Sequence, residues 1–240
     1  MNILHSMRNA QSYLQNVYAS AFFALLLIFA SMLVISGAEP IISRAATDEF
    51  LITQTIGDEI SFSVAASDVT MVSSIGGLTG GYATGTTYVL VRSNSSTGYT
   101  LDLSFSNTVA MQGNTTSSYI NNYTPTTPGT PDYGFTIGGT GTPGEFGYTA
   151  MASDTPATSG IDQSFLNNGA ACGTGSTQTD FACWINPSTT NERIISRTTA
   201  TTGSGATTTF MFKIGIPPNP SPVIETDTYT ATATLTAVNQ

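Results

Sequence analysis

In the stretch "DTYTATATLTAVNQ", threonine occupies every second position from Thr228 to Thr236, with Tyr229, Ala231, Ala233, Leu235 and Ala237 on the alternate positions. A repeat of two belongs to the β-strand, whose successive side chains point to opposite faces. Similar runs recur along the chain: "FLITQ" (50–54), "EISFSV" (59–64), "TTYVLVRS" (86–93), "GYTLDLSF" (98–105), "YGFTI" (133–137), "FGYTAMA" (146–152), "FACWI" (181–185), "RIIS" (193–196) and "TTFMFKIGI" (208–216). In the fourth of these, Tyr99, Leu101, Leu103 and Phe105 share one face and Thr100, Asp102 and Ser104 the other. Phe210, Phe212, Ile214 and Ile216 likewise share a face, opposite Met211, Lys213 and Gly215. Short alternating strands separated by Gly, Pro, Asn and Ser point to an all-β fold, an antiparallel β-sandwich with one face of each sheet inward.

Between the strands lie Gly/Pro/Thr-rich stretches, "NNYTPTTPGTPDYG" (121–134) and "GGTGTPGEFG" (138–147), which read as long surface loops. "PPNPSP" (217–222) reads as the return loop before the last strand, because proline cannot donate to a ladder. The terminal run then becomes an integral strand. Its alanines let an opposing sheet approach closely, and its threonines meet water.

Composition narrows the setting. Only 9% of the 240 residues are charged and the net charge is −9. That is far below the usual ~25% charged, yet 40% hydrophobic and 10% aromatic residues are enough to build a core. Of six basic residues, Arg8 and Arg44 lie near the N-terminus, leaving Arg92, Arg193, Arg197 and Lys213. So sparse a basic footprint excludes nucleic acid as a partner. Lys213 reads as an exposed lysine blunting a sheet edge.

The run "AFFALLLIFASMLVISGA" (21–38) carries no charge over 18 residues. As a helix it spans roughly 27 Å, close to the ~30 Å of a bilayer core. Two readings stand: a cleaved signal peptide, with small residues before Ala38 and Ala45, or an uncleaved membrane anchor. Arg8 before the run and Asp48 and Glu49 after it orient the bulk of the chain outward. The expected division is 1–46, signal peptide or anchor, and 47–240, a β-sandwich domain. The chain is thus expected to be extracellular or at the cell surface. Cys172 and Cys183 are the only cysteines, and in an exported protein an even count reads as a disulfide. They close a glycine-rich loop and contribute ~3 kcal/mol by the loop-entropy model.

The stretch "GLTGGYATGTTYVLVRSNSSTGYTLDLSF" (77–105) resembles WxL-type Gram-positive bacterial cell-surface domains. A glycine turn leads to a strand ending at Ser93 and Asn94, and Gly98, Tyr99, Thr100 and Leu101 open the next. The closing "TYTATATLTAV" is similar to the last strand of that group. The tandem Trp-x-Leu motifs are absent, Trp184 standing in "CWIN", so the family's peptidoglycan binding does not carry over. What the resemblance implies is an exported bacterial β-sandwich at the cell surface.

Candidate chemistry is sparse. The only histidine is His5, which removes histidine-based nucleophile schemes from the exported part. Asp102, Asp132, Glu145, Asp154, Asp162, Asp180 and Glu192 offer carboxylates for glycoside hydrolysis, but none sits in a recognisable motif. No cofactor, catalytic residue or metal site is assigned. Tyr119, Tyr123, Tyr133 and Tyr148 lie in or beside polar loops and are candidates for stacking on sugars. The expected function is therefore a non-enzymatic structural or adhesion protein, with cell-envelope glycans or other surface proteins, including copies of itself, as partners. The alternatives are a carbohydrate-binding module and, behind it, a carbohydrate-active enzyme. "DEFLITQTI" (48–56) is a candidate donor strand for a neighbour's sheet.

Overall fold

The computed structural model describes residues 3–36 and 49–240. The chain divides into two units, one ending at Gln54 and one beginning at Thr55. The small-residue sites at Ala38 and Ala45, and the expected boundary at 46/47, lie outside the described residues.

In the first unit, α1 runs from Ile3 to Ser36, 34 residues. Its segment Gln15–Met32 has a mean hydropathy of 1.5 and no buried residue, and is long and apolar enough to cross a membrane. Its two serine hydroxyls are satisfied internally: Ser20 donates to the Val17 carbonyl and Ser31 to that of Ile28. Such back-bonding hides polar hydrogens from an apolar solvent.

The second unit is built mainly of strands. They are β1 Ile60–Val64, β2 Gly81–Ser93, β3 Tyr99–Phe105, β4 Met111–Gly113, β5 Tyr119–Asn122, β6 Asp132–Tyr133 and β7 Glu145–Ala152. After one helical turn, α2 (Pro156–Ser159), and a 3-10 turn at Gln163–Phe165, there follow β8 Cys183–Trp184, β9 Glu192–Arg197, β10 Ala206–Ile216, β11 Tyr229–Thr230 and β12 Ala233–Asn239.

Seven strands form one sheet in the order β1-β2-β10-β7-β5-β4-β11; three form another, β12-β3-β9; and β6 pairs with β8. Pairing is antiparallel except between β5 and β7. The long ladder from Ala206↔Val91 to Ile216↔Gly81 makes β10 and β2 the spine.

Tyr99, Leu101, Leu103 and Phe105 of β3 are all buried, as their alternation requires. They share one core with Val89 and Val91 of β2, Phe146 and Tyr148 of β7, Ile194 and Ile195 of β9, and Phe210 and Ile214 of β10. Phe105 meets Phe146 edge-on, with ring centroids 6.0 Å apart. Each such side chain, fully buried, contributes ~1.5–3 kcal/mol.

The β2–β3 turn shows why glycine sits at position 98. Gly98 has φ +85°, and a Cβ there would lie 2.0 Å from the Arg197 carbonyl oxygen.

The seven-stranded sheet is curled. Its last strand, β11, leads through only Ala231 and Thr232 into β12 of the other sheet. Phe62 of β1 and Tyr229 of β11, from opposite ends of the sheet order, line the same hollow.

Three expectations change. "FLITQ" forms no strand. The terminal run is two strands, not one, because the chain crosses between sheets at Thr232, whose carbonyl accepts from the Ser106 N–H at 3.0 Å. And the outer face of β10 is not wet. Tyr123, Phe135 and Trp184 cover it as a second apolar cluster, with Ile137 and Met211 packed alongside. Tyr123 comes from a loop expected on the surface, and Phe135, Ile137 and Trp184 from runs expected as strands.

Candidate functional site

A groove of about 600 Å³ runs along the core between the sheets. Phe62, Val89, Phe105, Phe210, Phe212 and Leu235 are among the apolar residues of its walls. Residues 65–71 form a strap along it, pinned where the Ser67 N–H donates to Thr87 Oγ1 at 3.0 Å. The alternation of the terminal strand explains why space remains. Ala231, Leu235 and Ala237 are packed only partly against the core, and Ala233 is exposed. Alanine was expected to let the opposing sheet close in; here the short side chains bound an opening instead.

Two strand edges flank the groove. Among the described residues β1 pairs only with β2, and β12 only with β3. β12 contains no charged residue and no proline, the devices that usually blunt an edge.

Lys213 corrects another expectation. It stands on the central strand β10, paired on both sides, opposite Thr84 and Gly147. Its ammonium sits 4.9 Å from the Tyr82 ring centroid, 5.2 Å from that of Phe135 and 5.7 Å from that of Trp184. Glycine at 147 and 215 gives the rings room. A Cβ at Gly147 would lie 2.9 Å from Tyr123 Cβ, and one at Gly215 would lie 2.9 Å from the Tyr82 ring. Partial desolvation pushes the Lys213 pKa down, while the ring faces favour the charged form. The box is already filled by a cation of the chain itself.

The four candidate tyrosines separate into two pairs. Tyr148 lies in the main core and Tyr123 in the second cluster, each about 1% exposed. Burial holds the Tyr148 hydroxyl well above its ordinary pKa. Burial, with a hydrogen bond donated to Asp132 Oδ2 at 2.6 Å, pushes Tyr123 up to about 12. Both are therefore withdrawn from sugar stacking. Tyr119 and Tyr133 keep 40% of their surface exposed.

Most of the carboxylates serve the fold. Asp102 pairs with Arg193 Nε, and Asp154 with Arg197 Nη1 at 2.7 Å. Asp162 caps the 3-10 turn by accepting from the Ser164 N–H at 2.8 Å. Burial raises the pKa of Glu145, whose carboxylate accepts from the Thr124 N–H at 3.2 Å. No group of three or more His, Cys, Asp or Glu residues is placed to hold a metal ion among the described residues. The Cys172–Cys183 disulfide is formed. The loop it closes is also tied to buried Asn167, whose N–H donates to Thr177 at 2.8 Å and whose carbonyl accepts in return at 3.1 Å.

No family model, curated protein or solved structure matches the chain.

Proposed function

We propose that this chain is an exported, non-enzymatic structural or adhesion protein of a bacterial envelope. In this reading its two main sheets form an antiparallel β-sandwich that works by associating with other surface components. The observation that carries the reading is the open, mainly apolar groove beside the unblunted edge of β12, since an unpaired edge is a template for another chain. The apolar helix α1 supports export, as signal or anchor, and the disulfide fits an oxidising compartment. The resemblance to WxL-type surface domains over 77–105 supports the same setting. Protease treatment of intact Gram-positive cells expressing the full chain tests it: the strand-rich unit should be degraded. A unit protected until the cells are lysed would place it inside and overturn the reading. Mass spectrometry of the exported chain then separates signal from anchor, an intact Met1 terminus leaving only the anchor.

A second reading, a carbohydrate-binding module, is favoured by the exposed rings of Tyr119 and Tyr133. It requires saturable binding of the full chain to one sugar class on a glycan array, lost in Tyr119→Ala or Tyr133→Ala.

A further inference from the structure

We propose that the groove is filled by the segment Phe50–Ile56 of a second copy of this chain, inserted as a strand beside β12. The proposal rests on the reading of the protein as one that assembles outside the cell, and it names the partner.

The segment is matched to the groove in chemistry and length. Phe50, Leu51, Ile52 and Ile56 are 80%, 90%, 81% and 82% exposed. Four large apolar side chains so exposed within one short stretch are a patch that seeks a partner. Phe50, Ile52 and Ile56 fall on the same face of an extended chain, the face a strand offers to a core. No residue from Phe50 to Ile56 is charged, and neither is any in β12. Seven residues, extended, span roughly 20 Å, and the free edge of β12 is seven residues long.

The occupant is a second copy because Asn94 holds the neighbouring residues straight. Its Oδ1 accepts from the Glu59 N–H at 2.6 Å and its Nδ2 donates to the Gly57 carbonyl at 3.0 Å. The Asn94 N–H also donates to the Glu59 carbonyl at 3.2 Å. These bonds keep 57–59 extended as a continuation of β1. To reach the β12 edge of its own sheet, Phe50–Ile56 would have to reverse direction at those clamped residues. A cavity of this size also suits a small apolar molecule, ~300–1,000 Å³ being the usual range. The open edge of β12 favours a strand, which alone can use its hydrogen-bonding groups.

The test uses two differently tagged full-length chains in one cell, one carrying Ile52→Cys and the other Leu235→Cys. Mild oxidation should give a reducible dimer containing both tags. In parallel, Ile52→Asp, at an exposed position, and Ala233→Arg, at the groove mouth, should each lower the yield of oligomers at least ~tenfold, the scale of losing one interface anchor. Both sites are exposed, so neither change disturbs the monomer. Four results overturn the proposal: no mixed dimer; a cross-link confined to single chains when both cysteines are placed in one chain; oligomers that survive both charge changes; or a small apolar molecule retained by monomers in native mass spectrometry. Protease accessibility on the same cells reports export separately, so a cytoplasmic chain is distinguished from an exported one that does not exchange strands.

Discussion

Asp227 shows how much of this fold is tied together by single polar groups. Its carboxylate accepts from the N–H groups of Thr115 and Thr116, both at 2.8 Å, and from their hydroxyls at 3.0 and 2.9 Å. Hydrogen bonds to the charged form, from the Thr115 backbone first, hold its pKa well below the usual carboxylate range. A depressed folded pKa gives stability that is present above the unfolded value, ~3.9, and is lost as pH falls toward the folded one. Glu145 and Glu192 act in the opposite sense. Burial raises both, so they favour the fold below their unfolded pKa and lose that contribution as pH rises through the folded one. The acid limb of the whole protein therefore mixes signs, and a difference measurement is needed. Thermal melts of the native chain and Asp227→Asn should differ most at neutral pH and converge between about pH 4 and pH 2. A gap that stays constant with pH would show that the carboxylate's charge is not what holds this corner.

At the scale of elements, the disulfide loop is held twice, by the Cys172–Cys183 bridge and by the Asn167–Thr177 backbone pair. Replacing both cysteines by serine should cost up to ~3 kcal/mol. Hydrogen exchange should speed up across 167–183 while β2, β3 and β10 stay protected; loss of protection in the central strands would mean that the bridge holds the core itself. Both cysteines could be paired on the sequence because there were only two. The long strands were legible for a similar reason: β2, β3, β7, β9 and β10 extend over enough alternating positions to show their period. β4 and β5 span three and four residues, too few for a period of two to appear, and the break between β11 and β12 falls inside one unbroken alternation. "YGFTI" failed at Gly134, whose φ of +98° turns the chain, so that Phe135 stacks on Tyr123 and joins Tyr82 and Trp184 around Lys213. "FLITQ" opens on three successive apolar residues with strand propensity; propensity reports fitness to pair, and the partner is a separate fact. The groove was illegible because it needs Ala233 and Leu235 of β12 to meet residues from seven other strands, β1, β2, β3, β4, β7, β10 and β11.

For the whole strand-rich unit, the curl decides which segments the fold needs. The seven-stranded sheet brings its two ends to one groove, and β12 closes the other side through seven register pairs with β3. At ~0.2–1 kcal/mol per cross-strand pair, that contact is worth roughly as much as a sizeable part of the ~5–15 kcal/mol stability of a typical domain. The chain end is fastened as well: Ser93 Oγ donates to Asn239 Oδ1 at 2.8 Å, and the Gln240 N–H to the Gly98 carbonyl at 3.0 Å. The large apolar side chains of Phe50, Leu51, Ile52 and Ile56 are nearly bare. Deleting residues 228–240 from the full chain should therefore abolish the cooperative melt, since β3 becomes an edge and Leu101 and Leu103 lose their cover. Deleting 50–56 should leave the midpoint of dilute monomers unchanged and remove only their assembly. Calorimetry of the two deletions at low concentration separates these outcomes. If loss of 50–56 lowers the midpoint as far as loss of 228–240, that segment belongs to its own fold, and the groove is not held open for a neighbour.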